Sequence, residues 1–199
     1  MRPSRFLLFL LSLFSLPASA ENAEVELCYN YGCLTRQRMT FDAQSLAAIL
    51  ATLKAAETAE DERQRLAKAV GRLYALAAEQ SPIGADRGGN YADAGVPGRM
   101  DCIDHSTTTT RFLQLLEAHG GLKWHRVLEP ARRLRFFVMQ HFSARIATLP
   151  AANTETPAQH YVVDSWFVDN GEAAIVLPLE AWENGAGVEK QEHAPANRE

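Results

Sequence analysis

The stretch "QHFSARIATLPAANTETPAQHYVVDSW", residues 140–166, decides how the chain is read. Its two ends are rich in β-branched and aromatic residues, and its middle is polar and holds Pro150 and Pro157. That is the pattern of two strands and a connection. The neighbouring segments "LKWHRVLE" (122–129), "RRLRFFVMQHFSARIATL" (132–149) and "EAAIVLPL" (172–179) have the same character, and "DNG" at 169–171 is a hairpin turn signal. Everything after Gly121 therefore reads as an antiparallel sheet.

Before Gly121 the apolar spacing is helical. In "FDAQSLAAILATLKAAE" (41–57), Leu46, Ile49, Leu50 and Leu53 fall on one face. Thr58 opens "TAED", a capping-box pattern, and the helix that follows carries Leu66, Val70, Leu73, Leu76 and Ala77 on one stripe to about Gln80. Its charges, "EDERQR", read as a solvated face. Ser81-Pro82 and Gly84 end it. Residues 83–100 hold five glycines and no periodicity, a long loop of the kind that is often functional. Asp101 and Asp104 can then cap a helix through Phe112, Leu113, Leu115 and Leu116 that stops at Gly120-Gly121. Its threonines, 107–110, are poor helix formers and are expected to bond back to the preceding turn. Residues 24–40 read as a short strand or loop. The fold class is α+β: an N-terminal helical hairpin and a cysteine-bearing helix packed on an antiparallel sheet.

The first residues carry an export signal. Arg2 and Arg5 precede an apolar run from Phe6 to Leu16 and a small-residue site, Ala18-Ser19-Ala20. The run is shorter than the roughly 20 residues that span a bilayer, so no stable membrane anchor is expected. Residues 1–20 read as a signal peptide, 21–185 as one domain and 186–199 as a polar tail, which implies a periplasmic or secreted protein. Lys and Arg total 20 and Asp and Glu 24; without Arg2 and Arg5 the balance is 18 against 24, or −6. A mildly acidic chain with no basic cluster argues against nucleic acid as a partner.

Three cysteines in an oxidising compartment leave one over. Cys28 and Cys33, in "CYNYGC", bracket a tight turn at Asn30 and Gly32 and are expected to form a local disulfide. Cys102 is then unpaired: a buried small hydrophobe or a reactive group. A reactive thiol needs a base, and the base an orienting group. Of the histidines, His193 lies in the tail, His119 reads as a helix C-cap, His105 as a solvent-facing helix residue, and nothing singles out His125. His160 and Asp164 lie too far apart on one strand, roughly 13 Å, to share a bond. His141 and Asp164 remain. Pairing them centres the hairpin between Ala152 and Asn153, within the polar connection, and sets the two on one face about 4.5–5.5 Å apart. A one-residue slip would destroy the arrangement.

Cysteine at a helix start, histidine in the next strand and aspartate in the one after resemble the transglutaminase-like branch of the papain-like cysteine enzymes. The matching residues are Cys102-Ile103-Asp104, His141 in "QHFSARI" and Asp164 in "HYVVDSW". The chain departs from the family at His141-Phe142-Ser143, where "H-A-W" is usual. The resemblance implies acyl transfer on peptide or isopeptide amides, with Cys102 as nucleophile, His141 as base and Asp164 as orienting acid. No cofactor is expected, and no close-spaced ligand set points to a metal. The Cys102 backbone N–H would meet the oxyanion, with Asn90 as a candidate second donor or else a turn residue. Peptide or protein amides, cell-wall peptides among them, are the expected substrates. One of Trp166 and Phe167 should face the site and the other the core, since alternate strand residues point oppositely. Two rivals stand beside this reading: a non-catalytic binding module with a structural Cys102, and a metal protein using Cys102, His105, His141 and Asp164.

Overall fold

In the computed structural model, which describes residues 21–135, 139–150 and 157–187, the segment expected as a short strand or loop forms a β-hairpin ahead of the helices. Strands β1 (Ala23–Tyr29) and β2 (Thr35–Phe41) pair antiparallel and alternate buried with exposed residues along much of their length. The expected signal peptide, residues 1–20, lies outside the described residues, as does the tail from residue 188. Among the described residues no helix is long and apolar enough to cross a membrane.

Helices α1 (Ala43–Lys54) and α2 (Ala59–Ala78) form the expected hairpin, capped by Asp42 and Thr58. The faces read from the spacing are the ones buried: Leu46, Ile49, Leu50 and Leu53 on α1, and Leu66, Val70, Leu73, Leu76 and Ala77 on α2. One residue departs. Glu62, within the charges expected to be solvated, is fully buried, because the backbone N–H groups of Lys123 and Trp124 and the ring of His125 meet its carboxylate.

Helix α3 (Cys102–Ala118) crosses the centre of the molecule and packs on β1, on α2 and on the second sheet. It stops as the Gly120-Gly121 pair requires. Gly120 takes φ +66°, its N–H bonds to Glu117, and the Gly121 N–H returns to Leu116. His119 bonds through Nδ1 to the Leu115 carbonyl, the C-cap role expected of it. The threonine hydroxyls do not turn back along the helix. Thr108 bonds the backbone of Cys28 in both directions, and Thr109 bonds Tyr74 and Ser165. Buried at an interface of strand, helix and loop, those hydroxyls find partners that a lone helix does not offer.

The second sheet is a meander of β3 (His125–Arg135), β4 (Met139–Thr148), β5 (His160–Asp164) and β6 (Ile175–Pro178), followed by the short helix α4 (Leu179–Glu183). "RRLRFFVMQHFSARIATL" divides between β3 and β4, and "DNG" lies in a longer connection, residues 165–174, instead of a two-residue turn. The architecture is α+β, with the core between the helices and the two sheets.

Candidate active site

The site is built from the start of α3. Asp101 is the N-cap: its Oδ1 accepts the N–H groups of Ile103 (3.0 Å) and Asp104 (2.9 Å), while Asp104 Oδ2 accepts the Asp101 N–H. Both aspartates flanking Cys102 are thus turned onto backbone donors. A second set comes from the Cys28–Cys33 loop, which is closed by the expected disulfide. Asn30, Tyr31, Gly32 and Cys33 all adopt positive φ, between 59° and 67°. That left-handed turn aims consecutive N–H groups inward: Tyr31 (2.7 Å) and Cys33 (2.6 Å) donate to Asp104, and Gly32 (3.0 Å) to Asp101. Burial nevertheless pushes the Asp104 carboxyl up to about 6, against the pull of those N–H groups.

Cys102 is the free thiol, partly buried at the first position of α3. Burial pushes it above the usual thiol range, the charges of Asp101 and Asp164 act in the same direction, and the nearby Phe142 backbone N–H acts against them. Phe142 follows His141 on β4, so this strand runs directly past the sulfur.

The His141–Asp164 pair forms, but not in the register expected. Ala144 faces Val163 and Arg145 faces Val162; continued along the strands, this sets Ser143 opposite Asp164 and His141 two residues beyond. A shift of two keeps side chains on the same face, and a diagonal pair remains within reach of long side chains. His141 Nε2 lies 2.8 Å from Asp164 Oδ2, and both residues are buried. A carboxylate only accepts, so Nε2 carries the proton toward it and the neutral ring keeps Nδ1 as its acceptor.

The aromatic residues correct the alternation argument. The chain leaves β5 at Asp164 and turns, so Trp166 and Phe167 both lie against His141, with ring centroids at 5.0 and 5.1 Å. The Trp166 N–H donates to Asp164 Oδ1. Gly88 lies beside this turn, where a Cβ would stand 2.6 Å from the Val168 nitrogen; only glycine lets the loop 83–100 close over it. Tyr91 of that loop stacks edge-on against Trp166 at 4.7 Å.

Asn90 is a turn residue. Its amide donates to Asp93 and accepts the Ala92 N–H, local bonds that satisfy both ends of the side chain within the loop. His105 does not face solvent: it is buried, with Nε2 at 2.8 Å from Asp86 and Nδ1 at 2.9 Å from Ser165. Asp86 also accepts the Met100 N–H, so this network ties the loop, the Cys102 helix and the residue after Asp164 together. His125 is buried against Glu62. Among the described residues the close trio of potential metal ligands is Cys28, Cys33 and Asp104, two of them bonded to each other; the rival set of Cys102, His105, His141 and Asp164 is not gathered.

Sequence reasoning missed Trp182. It is fully buried on α4, its indole N–H donates to Asp164 Oδ2 at 2.8 Å, and its ring lies 5.6 Å from His141. Nothing in "LEAWENG" signals that, because the contact depends on how β6 and α4 return to β5.

No protein-family model, no curated protein and no solved structure matches this chain.

Proposed function

We propose that the chain is an exported thiol enzyme that transfers acyl groups from peptide or isopeptide amides through Cys102, His141 and Asp164. The observation that carries the reading is the His141 Nε2–Asp164 Oδ2 bond at 2.8 Å, on a strand whose next residue, Phe142, turns its backbone N–H toward the free Cys102 thiol. In the reaction, Cys102 Sγ attacks the amide carbonyl and passes its proton to His141 Nδ1. The tetrahedral oxyanion is met by the Cys102 backbone N–H, which at the first position of α3 has no intrahelical acceptor. Collapse expels the amine, which takes the proton from His141 and leaves an acyl thioester. Water or a second amine then releases the acyl group and restores the thiol. Because burial disfavours the free thiolate, the proton transfer to His141 is the step that makes the sulfur nucleophilic. Export accords with the Cys28–Cys33 bridge and with the leader pattern at residues 1–20. The fit to peptide amides rests on the resemblance in residues 98–168, and cell-wall peptides on location.

A second reading, a binding module with a structural Cys102, is favoured by the upward push on the thiol. Alkylation separates the two. Iodoacetamide should modify Cys102 in the native, oxidised protein near neutral pH, and His141→Ala should slow this about tenfold with the fold retained by circular dichroism. Equal rates in the two proteins would remove the enzyme reading and leave the binding module.

A further inference from the structure

Trp182 spends its only polar side-chain atom on the proposed triad. A buried indole N–H must find an acceptor. That of Trp182 finds Asp164 Oδ2, the same oxygen that His141 Nε2 holds, each at 2.8 Å. Oδ1 is taken by the Trp166 N–H, so the carboxylate is fixed from three sides. Trp182 is itself held. Arg133 donates to its carbonyl and to that of Ala186, and the guanidinium lies 4.6 Å over the indole ring. Arg133 is also the direct cross-strand partner of His141.

We propose that Trp182 is a positioning residue for His141, acting through Asp164. The inference rests on the triad reading above. The indole N–H takes part of the carboxylate's charge and keeps Oδ2 aligned on Nε2. Charge shared with the indole is charge withheld from the imidazolium, so the ring protonates less readily and stays available as a base at Nδ1. The groups facing His141 are Asp164 from β5, Arg133 from β3 and the uncharged rings of Trp166, Phe167 and Trp182; the Cys102 thiol lies by the next residue of the strand, Phe142. Of these donors and charges, the indole alone can be deleted while an aromatic ring is left in place.

The test is an NMR titration of the His141 ring in the intact chain and in Trp182→Phe. Phenylalanine keeps most of the packing and loses the donor. The His141 midpoint should rise by about half a unit to one unit. An unchanged or lower midpoint in a folded variant overturns the proposal. If the variant does not fold, the wild-type chain decides. The Trp182 indole N–H resonance, assigned by elimination using Trp124→Phe and Trp166→Phe, should shift with the His141 midpoint; an indole signal indifferent to that titration overturns the proposal. Failure of the triad reading shows separately, as Cys102 alkylation that ignores His141→Ala.

Discussion

Asp104 is a carboxylate out of contact with solvent that receives N–H groups from its own helix start and from a loop some seventy positions earlier in the chain. Its cap role is legible locally, because Asp101 and Asp104 stand three apart at the head of an apolar-periodic run. The donors from Tyr31 and Cys33 are not, since no local pattern announces which loop will dock there. Its titration gives a signed prediction. In the unfolded chain the group titrates near 3.9, and in the folded protein at about 6, raised chiefly by burial. Below about pH 4 both states hold the proton and the penalty is absent; between 4 and 6 the folded state alone holds it; above 6 the charged form is penalised in full. Measured by urea unfolding, the stability of wild type relative to Asp104→Asn should therefore fall as pH rises from 4 to 7, by on the order of 2 kcal/mol. Parallel pH curves for the two proteins would contradict the burial argument. Glu62 shows the opposite balance. Burial raises it most, but His125 and the N–H groups of Lys123 and Trp124 together bring it below the usual carboxylate value, so its contribution is lost as pH falls through that lowered value.

At the scale of elements, the Cys28–Cys33 loop and the β4–β5 pairing carry the site. The loop holds four successive left-handed residues, three of them not glycine, a conformation that L-residues rarely adopt in a row. The bridge and the bonds to Asp101 and Asp104 hold it there. Replacing both cysteines by serine should cost about 2 kcal/mol from loop closure alone, visible as a lower urea midpoint with little change in slope. A loss under about 0.5 kcal/mol would mean that the hydrogen bonds hold the loop without the bridge. The disulfide was legible because two close cysteines and a turn are local facts. The strand pairing was legible only in part. Alternation and the polar connection placed His141 and Asp164 on one face, yet the register differs by two residues, because side chains on one face repeat every second position and sequence pattern does not distinguish registers that differ by two. The diagonal bond that results is a fact of side-chain reach.

Across the whole molecule, α3 is the common neighbour. It meets β1, α2, β3, β4 and β5, and buries Phe112, Leu113 and Leu116 with Thr108 and Thr109. In native-state hydrogen exchange, amides of Thr108–Leu116 and of β4 from Ala144 to Ala147 should be the slowest, with α1, which packs mainly on α2, opening earlier. Protection of α1 equal to that of α3 would show that the helical hairpin, not α3, is the stable centre. The sequence by itself determined the α+β class, the two helical faces, the caps at Thr58, Asp101 and Gly120, and the choice of Cys102, His141 and Asp164 as the residues to watch. Those readings rest on periods and spacings of a few residues, which backbone geometry fixes wherever they occur. Only the tertiary structure decided that His105 and His125 are buried on acids, that Trp166 and Phe167 share one side of His141, and that Trp182 reaches Asp164. Each of those depends on which distant segments meet, and buried polar groups take whatever partner the packing brings within hydrogen-bond distance.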